Sequence, residues 1–183
     1  MAHGLSAEHA PEDIFHYAYA VFRSPSYRRR YSDFLKMDFP RLPLPRSGGL
    51  FGALARIGRQ LTSLHLLEAP GLDTASVEFV GDRDAEIEKI SWSKTIVWID
   101  RAQTSGFQGV HEDLWKFHIG GYQVCDKWLK DRKGRTLSAE DIAHYQKIVV
   151  TISETIRLTG EIDAVIEEHG GWPGAFASPE AEG

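Results

Sequence analysis

The residues with the most chemical potential in this chain are an acidic string ending in lysine, GDRDAEIEK at 81–89, eight histidines and a single cysteine, Cys125. Metal-dependent nucleases use such acidic clusters, but they need a carboxylate two positions before the lysine, and Ile87 stands there. The register fails, so a solvated hairpin is the expectation, with Asp84 the residue to test for a cryptic metal nuclease. HEDLW at 111–115 carries Trp115 where a zinc protease needs its second histidine, four residues on. His16, His65 and His144 fall on helix faces, where a hydrogen-bonded core or boundary role is the simpler reading. One cysteine allows no intrachain disulfide and too few thiolates for a cysteine zinc site, which fits a reducing, cytoplasmic setting.

Other chemistries lack their residue sets. No G-x-x-x-x-G-K-[ST] loop cradles phosphates, and no Gly-rich turn joins a strand to a helix to hold a nucleotide cofactor. The Asn/Asp-Pro-Pro-aromatic tetrapeptide with which amino-methyltransferases hold a flipped base is also missing. Gly120-Gly121 reads as a tight turn ahead of a helix. The expectation is a chain with no catalytic residues, no metal and no cofactor, whose function is binding.

Binding chemistry is written in the distribution of charge. The net charge is −5, yet residues 21–59 hold nine Lys/Arg against two acids and residues 116–147 hold seven against four. Residues 60–113 hold four against ten, and residues 148–183 one against seven. A chain this polarised can offer a polyanion a basic surface despite its sum, although such charges also serve simply to solvate a surface.

The elements that must carry these residues follow from periodicity. EDIFHYAYAVFRS predicts a first helix, stopped by Ser24-Pro25. In SYRRRYSDFLK, residues 26–36, Tyr27, Tyr31, Phe34 and Leu35 form an apolar seam opposite Arg28, Arg29 and Lys36, predicting a second, basic helix. Helical spacing makes Tyr17, Tyr19, Tyr27 and Tyr31 a core set before a base-stacking one. DFPRLPLPRSGG is proline-extended and carries Arg41 and Arg46. A third helix is expected over 50–68. SVEFV, EIEKISW and TIVWID predict a small antiparallel sheet. Next come a short strand or turn near 117–119, a helix from about Tyr122 to Lys133 closed by Gly134, and a long helix from Ser138 to about Glu168. That last helix has a seam of Ile142, Tyr145, Val149, Ile152 and Ile156. The fold class is α+β, helices flanking a small antiparallel sheet. The expected organisation is an N-terminal tail (1–11), one domain (12–169) and a frayed C-terminal tail (170–183). No stretch approaches the roughly 20 apolar residues of a membrane span, and the N-terminus lacks signal-peptide character.

Two segments carry a more specific message. FHYAYAVFRSPSYRRRYSDFLKMDFPRLPLP at 15–45 and IGGYQVCDKWLKDRKGRTLSAEDIAHYQKIVVTISETI at 119–156 closely resemble, in order, blocks of the C-terminal specificity domain of Type ISP restriction-modification enzymes. LHLLE at 64–68 and WKFHIGGYQV at 115–124 extend the resemblance. It implies a target-recognition domain for double-stranded DNA. The implied partner is an adenine-specific methyltransferase, as domain or separate chain, accompanied by motor and nuclease domains; no membrane is involved.

Given that role, sequence-blind phosphate contact is expected from Lys127, Lys130, Arg132, Lys133 and Arg135, with Val124, Trp128 and Leu129 anchoring their helix. KWLKDRKGR belongs to the shared blocks, which suits backbone binding or plain architecture better than base choice. Base readout is expected from Arg41, Arg46, Gln60, Lys94 and Gln103. Arg41 lies inside a shared block and has the alternative of pairing with a carboxylate; the other four lie where the family pattern varies more. The competing reading is a docking domain that clamps the methyltransferase and has little DNA affinity, or a fragment of a split gene.

Overall fold

The computed structural model describes residues 10–72 and 76–177. Two compact units emerge: Met1–Glu68 with Thr155–Gly183, and Ala69–Glu154. The α+β class and the long late helix are as expected.

In the first unit, α1 spans Pro11–Arg23. Proline suits its first position because the N–H it lacks would have no helical partner, and the Asp13 carboxylate accepts the Ala10 N–H at 3.0 Å. Ser24 terminates α1 and also caps α2, Pro25–Arg30, accepting the Tyr27 N–H at 3.0 Å. The single helix expected over 26–36 is broken. After α2 the chain turns at 31–33 and closes with one 3₁₀ turn, Phe34–Lys36. Ser32-Asp33 compete with the helix's backbone hydrogen bonds, so the apolar seam alone does not sustain it.

The proline segment runs extended, held by the Tyr17 hydroxyl on Pro43 O (2.7 Å) and the Tyr27 hydroxyl on Arg41 O (2.8 Å). Both tyrosines are buried, as their spacing suggested. Helix α3, Gly48–His65, is capped by Ser47 and packs on α1. Gly58 makes that contact close: a Cβ there would lie 1.8 Å from His16 O. Tyr17 stacks on Phe51 with centroids 5.1 Å apart. The later part of α6 (Ala139–Glu168) adds buried Leu158, Ile162 and Ile166, and its Asp163 accepts hydrogen bonds from Ser24 Oγ (2.6 Å) and Ser26 N (3.0 Å).

Residues 170–177 were expected to fray and instead pack. Ala175 and Phe176 are buried around a short helix, α7 (Gly171–Gly174), and the chain pairs with the proline segment through Arg46 N to Ala175 O (3.0 Å) and Ala177 N to Leu44 O (2.8 Å). The apolar area of Trp172 and Phe176 outweighs the flexibility that glycine and proline suggest. The rest of the tail, 178–183, and the N-terminal residues 1–9 lie outside the described residues.

The second unit holds an antiparallel sheet ordered β1-β4-β3-β2: β1 Glu78–Val80, β2 Ser91–Ser93, β3 Ile96–Trp98, β4 Gly106–Gln108. Only the end of EIEKISW is strand. Ile87 is buried and exchanges backbone hydrogen bonds with the 134–135 turn. Strand β4 was not anticipated; Gly106 lets it approach β3, where a Cβ would meet Val97 O at 2.3 Å. Helix α4 (Glu112–Trp115) leads to a hairpin of β5 (His118–Ile119) and β6 (Tyr122–Gln123), then α5 (Val124–Lys130). The hairpin takes Tyr122 and Gln123, so α5 starts later than expected. Gly134 adopts φ +80°, and Ser138 and Asp141 exchange the expected reciprocal caps at the start of α6. Phe107 packs against Tyr145 at 4.2 Å.

Candidate nucleic-acid interface

Helix α5 begins as an amphipathic turn: Cys125 and Leu129 are buried, so Lys127 and Lys130 face outward. Each has an acid one turn away on the same helix. Lys127 meets Asp131 at 2.5 Å and Lys130 meets Asp126 at 2.6 Å. Arg132 lies over the Trp128 ring at 3.5 Å, donates to Trp128 O and pairs with Asp141 at 3.3 Å. Burial raises the Asp141 pKa, but hydrogen bonds from Ser138 and the Arg132 charge outweigh it and hold this carboxyl below 3.8. Lys133 and Arg135 are exposed and have no ion-pair partner among the described residues.

Lys94 and Gln103 share an unusual backbone. Both have positive φ, 50° and 57°, and Thr95 follows Lys94 at 68°. Lys94-Thr95 is the two-residue turn between β2 and β3, a conformation that favours Asn-Gly. Thr95 O accepts N–H groups from Gly109 (3.0 Å) and Val110 (2.8 Å), which fixes the turn and leaves the Lys94 side chain exposed. Gln103 lies in the β3–β4 loop at the other end of this hairpin, donating to Ser91 Oγ at 3.2 Å. Asp100 organises that loop, accepting from Thr104 N (3.0 Å), Thr104 Oγ1 (2.5 Å) and Ser105 N (3.3 Å). Burial works to raise its pKa, yet these hydrogen bonds dominate and keep it below 3.8. Left-handed conformations at non-glycine residues cost about 1–3 kcal/mol each and cluster where a side chain must be aimed.

The first unit holds the cations that the residue list above missed. Arg28, Arg29 and Arg30 on α2 are all exposed, and Arg23 ends α1. Arg23 donates to the Tyr19 hydroxyl at 3.3 Å, Arg28 to Phe22 O at 2.9 Å, and Arg30 lies 5.9 Å from the Tyr31 centroid. None of the four has a carboxylate partner among the described residues. Burial and the neighbouring Arg23 charge both lower the Arg28 pKa, so the two guanidiniums are close enough to repel. The same causes lower the pKa of His65, which bridges the Tyr19 hydroxyl (2.7 Å) and Thr155 Oγ1 (2.9 Å). A cation group without ion-pair partners among the described residues favours an anion. The signal was present in SYRRRYSD, whose only acid, Asp33, is placed to pair with Arg29 if a helix continues. The helix stops, and Asp33 pairs with Lys36 at 2.9 Å.

Arg41 and Arg46 come together at one cavity in this unit. Arg41 is 82% exposed along its side chain, 3.9 Å from Asp38 and 5.2 Å from the Phe34 centroid. Arg46 Nε donates to Phe176 O at 2.8 Å. Gln60 is exposed on α3. The ten expected contact residues thus divide, with Arg41, Arg46 and Gln60 in the first unit and the other seven in the second.

A family model described as the Type ISP C-terminal specificity domain matches residues 1–161. Among solved structures, the chain is similar to a nuclease-deletion mutant of the Type ISP restriction-modification enzyme LlaGI in complex with a DNA substrate mimic. That likeness has a TM-score of 0.60 and 20% identity, covering 83% of this chain and 14% of that one. A DrdV–DNA complex aligns with a TM-score of 0.66 and 22% identity over 85% of this chain and 18% of that one. The ATP-dependent Type ISP enzyme LlaBIII bound to DNA aligns at 0.63 and 15%, over 85% and 11%. These likenesses concern the fold, and the chain spans less than a fifth of each protein. Comparison with curated protein sequences gave no match. No helix among the described residues is long and apolar enough to cross a membrane.

Proposed function

The chain belongs to the Type ISP C-terminal specificity domain family, and from that premise we propose that it is a non-catalytic module that reads a site on double-stranded DNA for an adenine methyltransferase. The observation that carries this reading is the arginine run of α2, exposed and without a carboxylate partner among the described residues. Such cations lower their energy against a phosphate backbone and release its counterions. Arg28, Arg29 and Arg30 are the phosphate contacts of the first unit, and Lys133 and Arg135 those of the second. Lys127 and Lys130 contribute by exchanging carboxylate for phosphate, which costs little because surface ion pairs are worth only about 0.2–1 kcal/mol, and Arg132, half-buried against Trp128 and Asp141, contributes its charge in place. Lys94 and Gln103, held on fixed left-handed backbone, suit base edges; Arg41, Arg46 and Gln60 complete the candidates. The partner carrying methyltransferase, motor and nuclease functions lies outside this sequence, and the setting is the cytoplasm.

Fluorescence anisotropy of the full chain with a random duplex, between about 50 and 200 mM salt, tests the reading. Affinity is expected to fall by about 10-fold or more across that range. Duplex binding that is absent at the lowest salt, beside a stable complex with a Type ISP methyltransferase, would favour the docking-domain alternative.

A further inference from the structure

The first unit contains a cavity of about 610 Å³ between the proline segment and the C-terminal residues 172–177. Tyr27, Tyr31, Phe34 and Trp172 contribute rings, and Arg41 and Arg46 contribute guanidiniums; no carboxylate among the described residues lines it. The rings form a continuous set: Tyr27 to Tyr31 at 4.9 Å, Tyr31 to Trp172 edge-on at 5.8 Å, Trp172 to Phe176 stacked at 4.2 Å.

What matters is which polar groups are already used. The Tyr27 hydroxyl donates to Arg41 O, Trp172 Nε1 to Ser26 Oγ at 2.8 Å, and Arg46 Nε to Phe176 O. These bonds hold the wall rigid and leave it few directional donors for reading a ligand edge. What remains is π surface, together with the terminal guanidinium nitrogens of Arg46 and those of Arg41, whose only acid neighbour among the described residues is the exposed Asp38 carboxylate at 3.9 Å. A planar aromatic group joined to an anion matches both, and the volume lies within the roughly 300–1,000 Å³ of ordinary ligand pockets. Stacking platforms with adjacent cations hold unstacked nucleobases with little sequence preference.

We propose that this cavity receives an unstacked nucleobase, its flanking phosphate held by Arg41 and Arg46, which here act on phosphate rather than on base edges. The inference rests on the DNA-binding reading and adds to it a base taken out of the helix, since a paired and stacked base presents no free face.

The full chain is titrated with a fully paired duplex and with the same duplex carrying one bulged 2-aminopurine. The bulged duplex is expected to bind about 10-fold more tightly, with a change in 2-aminopurine fluorescence. Tyr31→Leu, which removes one ring, and Leu44→Trp, which fills the mouth from an exposed position, should each erase that preference and leave paired-duplex affinity within about twofold. Equal affinity for the two duplexes, or a preference surviving both variants, overturns the inference while the DNA-binding reading stands. If neither duplex binds, both fall.

Discussion

The two basic segments look alike as strings and differ as structures. Residues 23–31 hold four arginines and no acid; residues 124–135 hold five cations and two acids. In α5 those acids stand one turn from Lys127 and Lys130 and pair with them, and Arg132 is engaged by Asp141 and Trp128. In α2 the helix ends before Asp33 can reach Arg29. A count of lysines and arginines therefore overstates one segment and understates the other. What decides whether a cation is available is the acid at i±4 and whether the helix lasts long enough to deliver it.

The largest expected effect comes from disturbing the scaffold under the unpaired arginines. Gly58→Ala places a Cβ against the α1 backbone and should cost about 2–3 kcal/mol in chemical denaturation, because backbone cannot yield as a side chain can. Duplex binding should weaken with it. Next, Arg29→Ala/Arg30→Ala should reduce duplex affinity about 10-fold at low salt, read by anisotropy. In the other direction, Asp126→Asn/Asp131→Asn frees Lys127 and Lys130 and should tighten duplex binding about two- to fivefold; no change would mean that α5 stays off the DNA.

A subtler contrast separates the units by acid response. His65, with a pKa below its ordinary 6.5, contributes stability that is complete above that value and is lost as pH falls toward its folded pKa. Asp100 and Asp141 in the second unit lie below 3.8, so their contribution is lost only under more acid conditions. Trp172, the first unit's only tryptophan, should therefore report loosening as pH drops below about 6.5, and His65→Gln should flatten that response.

Much of this was legible in the residues. Helix α1, the extended proline segment, the Ser138–Asp141 cap and the buried Ile142-Tyr145-Val149-Ile152 face follow directly from spacing. The breaks were not. Helix two failed because Ser32-Asp33 competition for the backbone opposed an intact apolar seam. Residues 170–177 packed because Trp172 and Phe176 found a partner distant in sequence, which no local pattern reports. The candidate site shows the same limit. Arg41 and Arg46 were identifiable as residues, but their meeting at a ring-lined cavity depends on a segment more than a hundred positions away.

The most direct test of the central claim is the slope of log affinity against log salt for duplex binding, compared between the native chain, Arg29→Ala/Arg30→Ala and Lys127→Ala/Lys130→Ala. If the unpaired arginines are the principal phosphate contacts, the first variant flattens the slope by about 1.8, at about 0.9 per phosphate, and the second by clearly less. A slope unchanged by loss of Arg29 and Arg30, or flattened more by loss of Lys127 and Lys130, would contradict it.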